Sequence, residues 1–200
     1  MPYTLKYAEQ TDVDLLPFGG MELTNHVLLN RGEGVARLAV TGFSEVNEHG
    51  TQLIRLDDQF TFRVCSLPGM VVLKLIAYDD RPEHRIKDLT DIFILKNYLE
   101  IIEEDLCDQH ADLLETSVSL EQTAARILGR HMQPLLMPSF LLQERIIMII
   151  DSAIADGPEG AVVRNLHAAQ YQRFPLDHVC YLLQNLRQGL DDEQESDEIK

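Results

Sequence analysis

The first 66 residues read as β-rich, with apolar and polar positions alternating in short runs, and from Ser66 the period lengthens to that of a helix. Tyr3, Leu5 and Tyr7 alternate with polar neighbours, and Val13, Leu15 and Leu16 follow the polar break Glu9-Gln10-Thr11. Such alternation predicts strands. Pro17-Phe18-Gly19-Gly20 ends the run, because proline lacks a ladder donor and paired glycines favour a turn. Gln52 to Leu56 and Phe60 to Val64 predict two further strands, with the acidic Asp57-Asp58-Gln59 as a hairpin turn between them.

From Ser66 onward the spacing is helical. Ser66-Leu67-Pro68-Gly69 predicts a helix start, with Ser66 as the cap and Pro68 in the first turn. The helix runs over about Met70 to Tyr78 and stops at Asp79-Asp80-Arg81-Pro82. A second helix is predicted over Ile86 to Glu104, with Leu89, Ile92, Phe93 and Leu99 on one face. Ala111–Leu114, Leu120–Met132, Leu141–Ala155, Ala161–Gln170 and Pro175–Leu190 complete the helical set, the third of these opened by Pro138-Ser139. Asp156-Gly157-Pro158-Glu159-Gly160 is a break. The expectation is an α+β chain: a β-containing front third, residues 1–100 as a first unit, a helical region over 101–190, and an acidic, disordered tail over 191–200.

Composition narrows the function classes. Apolar residues are 45% and charged residues 25% of the 200, which supports a packed core and excludes wholesale disorder. The net charge is -16, from 17 basic and 33 acidic residues, which argues against a large nucleic-acid-binding surface, and any phosphate contact needs a local basic patch. The three cysteines, Cys65, Cys107 and Cys180, form no CxxC pair, which suits a reducing cytoplasm rather than a zinc site or disulfide framework. Apolar stretches such as Met70–Leu73 and Ile146–Ile150 are too short to span a membrane, and the N-terminus has no signal-peptide core.

Three stretches carry candidate chemistry. Lys74 lies in a helix that is apolar on nearly every side, with Met70, Val71, Ala77 and Tyr78 as its i±3 and i±4 neighbours. An ammonium there must snorkel, pair structurally, or meet a phosphate or catalytic carboxylate. Arg81, Arg85 and Lys87 form the densest basic patch, followed by Asp88 and Asp91 on one helix face near its N-terminus. That arrangement reads either as charge matching to the helix dipole with a Lys87–Asp91 surface pair, or as a phosphate-holding cluster whose acids orient its cations. Asp12 and Asp14, at i and i+2 on a strand, share a face; they are solvent-facing edge acids or an oxygen-rich pair suited to magnesium.

The order and wording of these stretches resemble a family. Val13-Asp14-Leu15-Leu16-Pro17-Phe18-Gly19-Gly20, Thr41-Gly42-Phe43-Ser44-Glu45, Leu67-Pro68-Gly69-Met70-Val71-Val72-Leu73-Lys74-Leu75-Ile76-Ala77-Tyr78 and Arg81-Pro82-Glu83-His84-Arg85-Ile86-Lys87-Asp88-Leu89-Thr90-Asp91-Ile92 are similar to the AbiEii-type nucleotidyltransferases, toxin-like members of the DNA polymerase β superfamily. The similarity covers about residues 1–100. It implies a partial nucleotidyltransferase-type mixed β-sheet with packed helices, and a metal-assisted attack on the α-phosphate of a nucleoside triphosphate. It implies magnesium at Asp12 and Asp14, with Asp14 as ligand or base. It further implies Lys74 as the triphosphate-neutralising cation, Asp88 and Asp91 as its positioning acids, and Arg81, Arg85 and Lys87 as nucleotide-binding residues. An antitoxin protein is an implied partner, and a nucleic acid is one of the acceptors the family allows.

The family's early Gly-Ser motif followed by Asp-x-Asp does not occur before Asp14, where Asp14 itself matches the later carboxylate. A truncated reading frame, inactive by itself, is the resulting expectation. A degenerate, non-catalytic fold acting as a protein-binding module is the alternative. Hydrolase chemistry has little behind it: the seven histidines have no HxH or HExxH spacing and read as surface or capping residues, and no nucleophile-elbow glycines flank Ser139 or Ser152. Gly19-Gly20 and Gly32-x-Gly34 read as turns.

Overall fold

In the computed structural model, residues 3–8, 10–20, 26–30, 35–92, 98, 100–102, 109–114 and 119–192 are described. Six strands occur among them. β1 (Tyr3–Tyr7) pairs antiparallel with β2 (Thr11–Leu15), placing Lys6 opposite Asp12 and Thr4 opposite Asp14. β3 (His26–Asn30) pairs with β4 (Val35–Ala39), and β5 (Thr51–Arg55) with β6 (Thr61–Cys65), both antiparallel. The α+β class holds. The described strands form three separate two-stranded ladders, however, rather than one mixed sheet.

The acidic turn between β5 and β6 works as its composition predicts. Asp57 Oδ1 accepts hydrogen bonds from the backbone N–H groups of Gln59 at 2.8 Å and Phe60 at 2.9 Å, folding the chain back on itself. Between the second and third ladders lies α1 (Phe43–His49), a helix absent from the sequence expectation. It starts after Gly42 at φ +84°, where a Cβ would sit 2.8 Å from Ile76 Cδ1. The left-handed backbone there favours glycine, and a Cβ would also press on the tip of the Ile76 side chain.

α2 (Leu67–Asp80) begins as expected: Ser66 Oγ accepts from the Gly69 N–H at 3.2 Å, and Pro68 sits in the first turn. It is longer than expected at both ends. Val71, Val72, Leu75, Ile76 and Tyr78 are buried, which fixes the helix by its apolar sides. α3 (Ile86–Asp91) starts where predicted and ends at Ile92, whose N–H closes the turn on Leu89 and Thr90. Of the rest of the predicted 86–104, residues 98, 100 and 101 are helical, and 93–97, 99, 103 and 104 lie outside the described residues. Leu89 and Ile92 are buried as expected, whereas Phe93 and Leu99 lie outside the described residues.

The back of the chain is helical: α4 (Ala111–Leu114), α5 (Leu120–Leu136), α6 (Phe140–Asp156), α7 (Ala161–Leu166) and α8 (Leu176–Asp191). α5 starts with a reciprocal cap between Ser119 and Gln122 and continues four residues beyond the expected Met132, carrying Pro134 inside it. A π-helical turn, His167–Tyr171, extends α7. One continuous apolar core joins Val46 of α1, α2 and α3 to α5, α6, α7 and α8. The expected boundary of the acidic tail needs correction. Asp191 ends α8, and Asp192 is bonded to Arg126 and Arg130 of α5, because two guanidinium groups there need an anion; residues 193–200 lie outside the described set.

Candidate functional site

Lys74 is the feature around which the candidate site assembles. α2 is buried on most sides, and the Lys74 stem lies between those sides with its ammonium directed at α3. Nζ donates to Asp88 Oδ1 at 2.7 Å and to Asp91 Oδ2 at 2.6 Å. Asp88 stands in the first turn of α3, and Asp91 is three residues on, so both carboxylates share one face as their spacing predicts. The side chains are 27% exposed for Lys74, 9% for Asp88 and 37% for Asp91, so the cluster opens to solvent on the Asp91 side. Arg85 Nη1 approaches the other oxygen of Asp88 at 3.4 Å.

Two cations and two carboxylates make this group charge-balanced. Burial disfavours the Lys74 ammonium, but the hydrogen bonds to Asp88 and Asp91, together with their charges, outweigh it and raise its pKa above the ordinary lysine value. Lys74 is therefore a firmly held cation, not a base. Two of its three donors are engaged by these acids.

The other members of the predicted set lie elsewhere or stay exposed. Arg81 and Lys87 are exposed, and Asp91 is bonded to Lys74 rather than serving as a partner for Lys87 at the surface. Asp12 and Asp14 are exposed on β2, and Asp14 Oδ1 accepts from Thr4 Oγ1 at 2.7 Å on the facing strand. The acids that meet the ammonium thus come from α3, and not from the early strand pair. Asp12 and Asp14 are exposed carboxylates two residues apart on β2 and so share one strand face, with Lys6 opposite Asp12. Among the described residues no three His, Cys, Asp or Glu side chains gather closely enough to hold a metal by themselves.

Sequence reasoning did not anticipate two further features. Arg145 of α6 donates to Asp79 at 2.8 Å and to Asp80 at 2.6 Å, tying down the C-terminal end of the helix that carries Lys74. Burial lowers the Arg145 pKa, but the bonds to Asp80 and Asp79 outweigh it, and the balance is upward. His110, expected at the surface, is instead buried against His131, with Nε2 to Nε2 at 3.0 Å. The signal for Arg145 was an acidic pair at a helix C-terminus, where the dipole is itself negative and demands a cation. Of the cysteines, Cys65 and Cys180 carry free thiols, and Cys107 lies outside the described residues. No described helix is long and apolar enough to cross a membrane.

Comparison with protein-family models, with curated proteins and with solved structures returns no match.

Proposed function

We propose that this chain is a nucleotidyltransferase-family protein whose phosphate-handling centre is Lys74 with Asp88, Asp91 and Arg85. The observation carrying the reading is the Lys74 ammonium held between two carboxylates of α3, at the positions where the sequence resembles the AbiEii-type enzymes. The reading takes the β1–β2 ladder, in which β2 carries Asp12 and Asp14, as part of a nucleotidyltransferase-type sheet. It takes the free thiols of Cys65 and Cys180 as fitting a cytoplasmic setting.

In the proposed reaction an acceptor hydroxyl attacks the α-phosphorus, the bond to the bridging oxygen of the β-phosphate breaks, and pyrophosphate leaves. Bound magnesium would polarise the phosphoryl oxygens. Asp12 and Asp14 would hold it, and a carboxylate oxygen of Asp14 would alternatively take the hydroxyl proton. Lys74 meets the triphosphate with its remaining donor, while Asp88 and Asp91 keep the ammonium charged and aimed. Arg81, Arg85 and Lys87, all exposed, supply further positive charge along the same edge. An antitoxin protein is the partner the family resemblance suggests.

Binding of a nucleoside triphosphate is the direct test, since it needs charge neutralisation but not every catalytic motif. Titration with a fluorescent triphosphate analogue in magnesium is expected to saturate, and to weaken at least about tenfold in Lys74→Ala. Asp14→Ala should reduce the magnesium dependence. Absence of binding at about 1 mM ligand, a weak limit on the affinity scale, sinks the reading.

A second reading, a non-catalytic protein-binding module, is favoured by one observation: Ile54, Leu56, Phe60, Phe62 and Val64 line one face of the β5–β6 hairpin, and all but Ile54 are exposed. Failure to bind nucleotide points to this alternative.

A further inference from the structure

The β5–β6 hairpin has two unlike faces. The Leu56 N–H bonds the Phe60 carbonyl at 3.0 Å, and Ile54 stands opposite Phe62. With side chains alternating along each strand, Gln52, Ile54, Leu56, Phe60, Phe62 and Val64 share one side, and Thr51, Arg63 and Cys65 lie on the other. The second side is the one that meets the rest of the fold. Thr51 Oγ1 and Arg63 Nη1 both donate to the Asn47 carbonyl of α1 at 3.1 Å, and a Cβ on Gly69 of α2 would lie 3.2 Å from Cys65 Sγ. The first side is turned outward: Leu56 is 69% exposed, Phe60 62%, Phe62 44% and Val64 37%.

A two-stranded ladder is marginal in water unless its apolar face packs against something. These four side chains leave on the order of 400 Å² of apolar surface, comparable to the largest patch on an ordinary monomer. The face itself bears no charged side chain. Arg55 pairs with Asp58, Arg63 is held at Asn47, and residues 51–65 contain two arginines and two aspartates, so the hairpin is neutral within a chain of net charge -16. A basic partner finds no carboxylate on this face, and an acidic partner finds no cation. Apolar area and shape are what it offers.

We propose that this face docks on the same face of a second copy of the chain, giving a weak two-fold dimer in which the two hairpins pack as layers of a small sandwich. The pairing sets Phe60 and Phe62 of each copy against the apolar side chains of the other, at the spacing of about 10 Å that packed sheets adopt. Charge decides the partner. Two chains of -16 repel where their acidic surfaces approach, and they meet at least cost where neither brings net charge. Area decides the strength. Two such faces bury about 800 Å² together, below the roughly 1,200–2,000 Å² of a stable interface, which fits an association that rises and falls with concentration. The proposal names an occupant for the face behind the protein-binding reading, and it stands whether or not the chain also binds a triphosphate.

The test is sedimentation velocity of the full chain from about 1 to about 300 µM, a range that brackets weak protein association. Expected is a concentration-dependent shift from monomer to dimer. It should be as strong or stronger at about 0.5 M salt than at about 0.05 M, because screening removes repulsion between the acidic chains. Phe60→Ser with Phe62→Thr should raise the dissociation constant at least about tenfold. Leu53→Thr, on the other side of β5 and 70% exposed, should leave it unchanged within about twofold. A monomer at every concentration overturns the proposal, as would follow if the chain's own residues or a different protein cover the face. So does a dimer that the double variant leaves intact, or one that salt dissolves. Should the double variant fail to fold, isotope-filtered NMR on a mixture of labelled and unlabelled parent chains decides the matter. Contacts between copies must then involve the Phe60 and Phe62 rings, and their absence in the associated state overturns the proposal. None of these outcomes bears on the triphosphate titration, whose failure would in turn leave the dimer in place.

Discussion

Gly129 of α5 and Gly189 of α8 bring their two helices into backbone contact. A Cβ placed on Gly129 would lie 2.9 Å from the Gly189 Cα, and one placed on Gly189 would lie 2.9 Å from the Arg126 carbonyl carbon. The obstructing atoms are main chain, so no rotamer change relieves the overlap. Gln133 Nε2 donates to the Gly189 carbonyl oxygen at 2.9 Å just beyond the crossing. Gly189→Ala gains up to about 1 kcal/mol of helix propensity, yet must push the helices apart at a cost of about 3 kcal/mol or more. A net loss of about 2 kcal/mol is expected in urea unfolding. Equal or greater stability would show that the helices can separate freely at this point.

The same helix pair is tied at its end by Asp192. Burial pushes this carboxyl up, but the hydrogen bonds from Arg126 and Arg130 and their charges outweigh it, holding its pKa below the ordinary value. A depressed carboxylate stabilises the fold at pH values above its unfolded pKa of about 3.9, and that contribution is lost as the pH falls through the folded value. Asp192→Asn should therefore cost about 2 kcal/mol at pH 7, partly because Arg130 loses an anion, and should weaken the dependence on pH below about 4. Melting curves at neutral and acid pH check both halves. An Asp192→Asn melt that matches the parent at neutral pH removes the tie from the account.

The β5–β6 hairpin makes a different prediction because its apolar face points outward. Phe60 and Phe62 alternate onto the face that holds Ile54 and Leu56, and both phenylalanines are exposed. Exposed substitutions that touch no cap or ion pair usually move stability by no more than about 0.5 kcal/mol. Phe60→Ser with Phe62→Thr should leave the unfolding midpoint in place and lower the binding of a hydrophobic dye. A midpoint several degrees lower would mean that this face packs against the protein.

What the sequence could disclose depended on whether the signal was local. Ser66 and Pro68 mark the start of α2 because a cap and its proline act within four residues, and Asp57 marks its turn for the same reason. The pairing of Lys74 with Asp88 and Asp91 was also within reach, since a buried ammonium requires an anion and the i,i+3 acids were the nearest supply. Asp12 and Asp14 had the right spacing for a shared face, but spacing does not say which element that face meets. The Gly129–Gly189 crossing and the His110–His131 contact depend on partners far along the chain. α1 was hidden for another reason: seven residues leave almost no periodicity to read.

Lys74 allows its structural contribution to be separated from any role in phosphate binding. Lys74→Met keeps the apolar stem but leaves Asp88, almost fully buried, with Arg85 at 3.4 Å as its one cationic partner among the described residues. Removing one partner of such a cluster should cost about 2–3 kcal/mol at neutral pH, and adding Asp88→Asn with Asp91→Asn should recover most of it. The raised lysine pKa gives a second readout with a definite sign. Its stabilising contribution is complete below the unfolded value of about 10.4 and is lost as the pH rises through the higher folded value. Melting temperatures between about pH 9 and pH 12 should therefore fall more steeply for the parent than for Lys74→Arg, whose guanidinium keeps its proton across that range. Parallel slopes for the two proteins would mean that the ammonium contributes nothing to holding α2 against α3.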